Sequence, residues 1–567
     1  MKKIIIFFMT LVLIFTMAGC GKSPSAKIEN EDIRRSSYKF DLKVDDKGMV
    51  TKGSVLVDFY KLTKKDETLF TTKTLTTFEE TVSVTGLESD TDYRCDVKCT
   101  YNKKAHIIYS WVVKTKKDGT QFDPIVITTA NELVDCLSND YSTDAYYELG
   151  NDIDFTGYKK TDSEGTEIAF TGLSSTSSTA FCGYLNGKGH TIKNVTLSSE
   201  ASYNGFFGYL KGTLEDVNFD KINVSVKRST SSTTYTGAIC GYGYQAKLIN
   251  VNLTNSKVEV DAKTQYTGGL IGYSFATNTT YSNSSNVEII AKGASQTCYV
   301  GGLTAYLCQN SSSKFGKIYH ASVSGSITVT EANTLFYGGL VGFMKAGSYI
   351  DRAVANFDGV ITSYGNAIIG GLIGKANLNS VEDITDEYVK NVVAKGTIGY
   401  KSIKEETLTE NENETMIGGL IGSATAVKAN DAYIEMAIDI ETKLTDAGKI
   451  YSGLVFGRGY EYHTELHDAI INGSIKAVTT GSDASATISI ASYDGSTYDD
   501  GGVKKPLSVI DSLTVNHIKI ELDVDGTTET VSGAISIVDA VNVSGWDSAI
   551  WDATVDSTNN TIDVTFK

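Results

Sequence analysis

The chain has 567 residues and a formal net charge of −17, from 51 basic and 68 acidic residues. At about 150 residues per domain, that length allows three or more units, or one solenoid lengthened by repetition. An acidic chain without a basic stripe repels phosphate backbones, which argues against nucleic acid as a partner.

Three prolines against 53 glycines and 32 tyrosines fit a chain paired almost throughout in β-ladders, because proline removes a ladder donor. The leader, MKKIIIFFMTLVLIFTMAGC, places Lys2 and Lys3 before an apolar run from Ile4 to Phe15. That run is too short to span a bilayer comfortably. Ala18 and Gly19 then precede Cys20. The order resembles a bacterial lipoprotein signal whose lipobox ends in a small-small-Cys step; Met17 stands where leucine is commoner. The resemblance implies cleavage before Cys20, lipidation of its thiol, and an extracytoplasmic chain anchored to the cell membrane and exposed at the cell surface. Two acyl chains would anchor it stably. Residues 21–31 read as a flexible tether.

Seven further cysteines, Cys95, Cys99, Cys136, Cys182, Cys240, Cys298 and Cys308, make an odd set, which argues against a complete disulfide framework. Cys95 and Cys99 on one strand would sit about 13 Å apart, beyond disulfide reach. They read as small buried hydrophobes.

Across residues 32–118, short alternating runs such as SYKFDLKV, SVLVDFYKL and DYRCDVKCTY predict a small β-sandwich. In TGLESDTDYRCDV, Leu87, Thr91 and Tyr93 resemble the corner of fibronectin type III domains in which a tyrosine hydroxyl bonds back to upstream backbone. The usual corner proline and strand-B tryptophan are missing. Trp111 reads as a core residue.

From residue 123 to 505 the chain reads as one repeat array. TTANELVDCLSN predicts a short helix with Leu133, Val134 and Leu137 on its apolar face, capping the array's first end. A glycine-rich phrase then recurs: NGFFGY from Asn204, GAICGY from Gly237, GGLIGY from Gly268, GGLTAY from Gly301, GGLVGF from Gly338, GGLIGK from Gly370, GGLIGS from Gly418 and SGLVFG from Ser452. Most intervals are 31 to 37 residues; one is 48 and holds the charged insert KSIKEETLTENENET, expected to loop out of a rung. Between copies, alternating Val-, Ile-, Thr- and Tyr-rich runs predict strands rather than helices. Parallel coils follow. The phrase leucines, from Leu270 through Leu303, Leu340, Leu372 and Leu420, are expected to stack inside. The glycines are expected to permit positive φ and close approach of rungs. Residues 506–567 read as closing rungs with a VDG turn, capped by Trp546 and Trp551.

These phrases resemble the GLUG motif of bacterial surface proteins, including adhesin-like chains and the N-terminal regions of IgA-specific metallopeptidases. YLNGKGHTI resembles the first rung of right-handed parallel β-helices. Fold expectations are therefore all-β: an N-terminal fibronectin III-like β-sandwich, then a right-handed parallel β-helix.

Chemistry is sparse. HTELH at His463 to His467 has Glu465 one place late for a zinc peptidase, and a strand spreads its histidines about 13 Å apart. DVDG at Asp523 to Gly526, with Glu529, lacks the other ligands of a calcium loop and reads as a hairpin turn. Asp152, Asp154, Asp216 and Asp220 are candidates to line one exterior face, as in β-helices that cleave polysaccharides. No catalytic set, cofactor site or metal site is assigned. The sequence points to a lipid-anchored adhesin-like protein whose wall binds an extracellular glycan or a host or neighbour-cell surface protein. The alternatives are a polysaccharide lyase or hydrolase, or a non-binding envelope scaffold.

Overall fold

The computed structural model describes residues 23–566, apart from residues 35–36, 52, 64–65, 116–118, 139–144, 162–165, 311–314, 365, 379–388, 404–413, 444–448, 460–463, 481–484, 490–496, 501–502, 507, 511–512, 525–526, 534–550 and 557–560. Cys20, His463, Gly526, Trp546 and the middle of the charged insert lie outside the described residues. The described chain is mostly strand and divides into two units, residues 1–125 and 126–567.

The first unit has seven strands: β1 (Ser25–Ile33), β2 (Ser37–Asp45), β3 (Leu56–Leu62), β4 (Glu67–Thr74), β5 (Glu79–Thr85), β6 (Asp92–Tyr101) and β7 (Lys104–Lys114). They form two antiparallel sheets, ordered β1-β2-β5 and β4-β3-β6-β7. Strand periodicity sends Tyr38, Phe40 and Leu42 inward from one sheet and Val57, Phe59, Tyr93, Cys95 and Val97 from the other. Each such side chain contributes roughly 1.5–3 kcal/mol by leaving water. The buried Tyr93 hydroxyl accepts from the Glu88 amide at 2.9 Å, the upstream bond expected of it. Trp111 packs edge-on to Phe40 at 5.2 Å and donates to the Tyr38 hydroxyl at 3.0 Å. The tether is shorter than expected. From Ser25 the chain is already β1, with Ala26 opposite Val44 and Ile28 opposite Leu42. Its polar outer residues masked the alternation of Ala26 and Ile28, which pack on the core.

The second unit opens on helix α1 (Ala130–Leu137), which buries the expected Leu133, Val134 and Leu137. Thr129 caps it, and Glu132 completes a capping box, satisfying amides that lack a helical partner. Tyr146–Leu149 then pairs in parallel with Tyr184–Asn186, and the chain begins to coil. One turn runs Gln265–Gly268, Ile271–Phe275, Asn278–Thr280 and Ser284–Lys292; the next runs Thr297–Gly301, Thr304–Cys308 and Gly316–Ala332. Corresponding strands of successive turns pair in parallel, building one nine-stranded, one eight-stranded and one larger sheet, the arrangement of a β-solenoid.

The phrase leucines stack as expected. Leu270, Leu303, Leu340, Leu372 and Leu420 are fully buried. The Leu270 amide donates to the Leu303 carbonyl at 3.0 Å, Leu303 to Leu340 at 3.0 Å, Leu340 to Leu372 at 2.8 Å and Leu372 to Leu420 at 2.9 Å. Of the two roles expected of the glycines, close approach holds and positive φ does not. Of all the phrase glycines only Gly205 has a positive φ, 153°. Close approach is what demands them: a Cβ on Gly268 would lie 1.9 Å from the Ile271 carbonyl oxygen, and one on Gly269 2.1 Å from that of Gly302. Gly338, Gly370 and Gly418 face the same obstruction, at 1.9–2.0 Å from a backbone oxygen.

Leu513–Val524 adds a further parallel segment to Thr464–Thr480, and Thr527–Gly533 folds back on it antiparallel, bearing out a hairpin at the VDG stretch. Trp551 begins a strand paired antiparallel with Thr561–Phe566.

Of the seven cysteines five are buried and two, Cys136 and Cys182, half-buried. Burial pushes the Cys308 thiol up to about 11, so it is not a thiolate at neutral pH.

Candidate functional site

From Asp216 onward the strand run of the large sheet bends, turn after turn, at a left-handed residue. Asp216, Asn250, Tyr281, His320, Arg352, Asn391, Asp431 and Asp468 occupy this bend in successive rungs, with φ of 50–56°. Their strand neighbours pair in register from rung to rung, so these residues form one column. A second left-handed column, Asn194, Lys221, Asn255 and Asn286, lies a few residues further along the strands. Asn and Asp suit such a position because their short polar side chains bond locally. Asn250 accordingly donates to Asp216 at 2.8 Å and Asn286 to Asn255 at 2.9 Å.

Between the columns lies a groove of about 750 Å³. Its floor consists of outward side chains from successive rungs. Asn252 Nδ2 donates to Asn218 Oδ1 at 3.1 Å, and Asn283 Nδ2 to Asn252 Oδ1 at 3.2 Å. The Ser322 amide ends the ladder on Asn283 Oδ1 at 2.9 Å. A primary amide has two N–H donors and two lone pairs, so Asn283 keeps one of each beyond these bonds. Thr254, Ser324 and Asn356 extend the polar surface, and Val354 interrupts it. Tyr281 and His320 stand at one lip, ring centroids 4.8 Å apart, with Tyr281 46% exposed. Burial, and then the Arg352 charge, hold the His320 pKa below its ordinary value, leaving the imidazole neutral at pH 7. Arg352 itself is drawn aside, bonded to the Tyr319 hydroxyl at 2.5 Å. Among the described lining residues the one with a full charge, Lys395, lies 3.4 Å from Glu435.

The four candidate aspartates share this wall but form no acid–base pair. Asp154 accepts from Asn194 and Thr156, which hold its carboxyl down to about 2. Asp220 is pushed up by burial, but bonds from Thr254 and Asn255 outweigh this and leave it low. Asp152 accepts from the Thr191 amide at 3.0 Å and sits near His190 and Lys193. Asp216 accepts from Asn250. None of these four sits among the residues lining the groove. A general acid needs a raised pKa. The clear rise on this stretch of strand is at Glu215, from burial and from Asp216.

Glu465 and His467 lie on the strand Thr464–Thr480, 3.5 Å apart, not on the helix a zinc peptidase motif requires. Among the described residues no group of three His, Cys, Asp or Glu is placed to hold a metal, and no helix is long and apolar enough to cross a membrane.

The tyrosines were missed as an organised feature. Tyr203, Tyr235, Tyr266, Tyr299 and Phe336 stack at 4.4–5.3 Å in one exterior column. Tyr209, Tyr242, Tyr273, Tyr306 and Phe343 follow at 4.7–5.0 Å in a second. The columns meet edge to face, as Tyr266 meets Tyr273 at 5.2 Å. Their faces are occupied by one another, so they fill an exterior corner rather than offering platforms to a ligand. The sixth phrase position, Tyr, Tyr, Tyr, Tyr, Phe in sequence, was the available signal.

No protein-family model matches this chain, and no curated protein matches it.

Proposed function

We propose that this is a lipid-anchored surface protein of adhesin-like type, held at Cys20, whose β-solenoid wall binds an extracellular glycan. The observation that carries this reading is the carboxylate-free polar groove crossing successive rungs of an otherwise acidic chain. Repetition favours it, because a coil offers the same contacts at each step along a linear partner. The first unit is read as fibronectin III-like, supported by its three-plus-four sheet order and the Tyr93 bond, and as the spacer that carries the coil. The coil is read as right-handed, by its resemblance to parallel β-helices.

Two measurements test this. Cells fed an alkyne fatty acid should label the chain, and Cys20→Ala should abolish the label. Cells displaying the chain should adhere to a glycan array above cells carrying the empty vector. Equal adherence would leave the coil as a scaffold without a ligand.

A further inference from the structure

Resting on the glycan reading, we infer that the groove between the two left-handed columns is the site itself, and that it takes one extended, neutral polysaccharide chain along the coil axis with Tyr281 and His320 as its aromatic lip. Charge comes first. Among the described residues the lining holds no carboxylate to attract a cation or a basic peptide, and its lysine is already offset by Glu435. No uncompensated cation remains to hold a polyanion. What the floor offers is amides and hydroxyls, each both donor and acceptor, which match a partner made of hydroxyl groups.

Spacing separates a glycan from a peptide. Rungs repeat about every 4.8 Å, whereas an extended peptide repeats its side-chain face about every 6.6 Å, and the two drift out of step. Strand addition is closed as well, because the floor's backbone groups are spent on neighbouring rungs.

The lip supplies an independent argument. Its column carries Asn or Asp at Asp216, Asn250, Asn391, Asp431 and Asp468, types that, with His, are enriched at φ near +50°. Only the three consecutive rungs between them depart from that choice, with Tyr281, His320 and Arg352. The bulky ring of Tyr281 at a left-handed position is strained, and strain kept in a structure points to use. Burial does not explain Tyr281, which is 46% exposed. Aromatic rings beside a polar floor suit the two surfaces of a sugar, its C–H face and its hydroxyl rim.

The test uses the full chain purified in mild detergent. It is run by affinity electrophoresis through a β-1,4-glucan, a β-1,3-glucan, a galactomannan and an α-1,4-glucan, with polygalacturonate as the acidic arm. Retention by at least one neutral chain is expected. Tyr281→Asn and His320→Asn should each raise its Kd about tenfold, the loss of one modest contact, with a melting temperature unchanged or higher. Variants that bind like the parent would move the site elsewhere and overturn this inference while sparing the glycan reading. Retention by polygalacturonate alone would overturn the neutral ligand. No retention by any polysaccharide would sink both readings. Lower melting temperatures in both variants would assign the rings to the fold and overturn their role as a lip.

Discussion

The repeating turns of the coil bend at two kinds of place, and the chain answers them with different chemistry. At the glycine-leucine corner the obstacle is crowding: a Cβ on Gly370 would lie 1.9 Å from the Ile373 oxygen. At the first left-handed column of the large sheet the obstacle is torsional: its residues, from Asp216 to Asp468, take φ of 50–56°. Crowding admits only glycine, so the first corner repeats almost letter for letter. A torsion admits any residue that tolerates it, so the second varies from Asp to Tyr to Arg. Strictness of repetition reports the type of constraint, and the looser corner is where a surface can acquire a task.

That contrast can be broken by exchange. Gly370→Asn should be the most damaging change. Its Cβ meets backbone that cannot step aside, and a loss of about 3 kcal/mol or more is expected in urea unfolding; a variant as stable as the parent would refute the crowding account. Leu340→Ala should cost about 2–5 kcal/mol through lost burial and a residual cavity, read by the same transition. The reciprocal exchange, Asp468→Gly at φ 52°, should shift stability by no more than about 0.5 kcal/mol, because glycine takes that torsion freely. Smallest of all, Glu441→Gln removes the exposed partner of Lys401 at 2.7 Å and should change stability by less than about 0.5 kcal/mol.

The exterior ring columns give a pH test of the same coil. Burial, with the neighbouring tyrosines, pushes the Tyr209 hydroxyl up to about 12. The folded state therefore holds this proton more tightly than the unfolded chain, whose tyrosines titrate near 10. Its contribution is complete below about pH 10 and is lost as pH rises from there toward about 12. Phenolate absorbance of Tyr209, isolated by comparison with Tyr209→Phe, should rise only in that upper window. Ordinary titration near pH 10 would show that the hydroxyl is solvated.

Much of the fold was legible. Leu340 and its equivalents were readable because burial demands an apolar residue at one fixed offset. Helix α1 was readable because its cap and apolar face are both written locally. Tyr93 was readable because the corner needs one particular hydroxyl. The reason for the glycines was only half legible, since close approach and positive φ select the same residue. The groove was not legible, because its floor is built from Asn252, Asn283 and Ser322, about thirty to forty residues apart, and nothing local marks them as neighbours. The lip was hidden for a related reason: Tyr281, His320 and Arg352 share a torsion but no side-chain property. The strand from Ser25 was concealed by polar outer residues in a stretch that also fits a linker.

The amide-to-carbonyl column through the leucines has a consequence for length. Leu303 hands its amide to Leu340 as Leu340 does to Leu372, so no rung of the run is addressed to a unique neighbour. A duplicated turn would find both its contacts waiting and add about 4.8 Å of height. Copy number thus acts as a ruler: unequal recombination can reset how far the tip stands from its base without inventing any new interface.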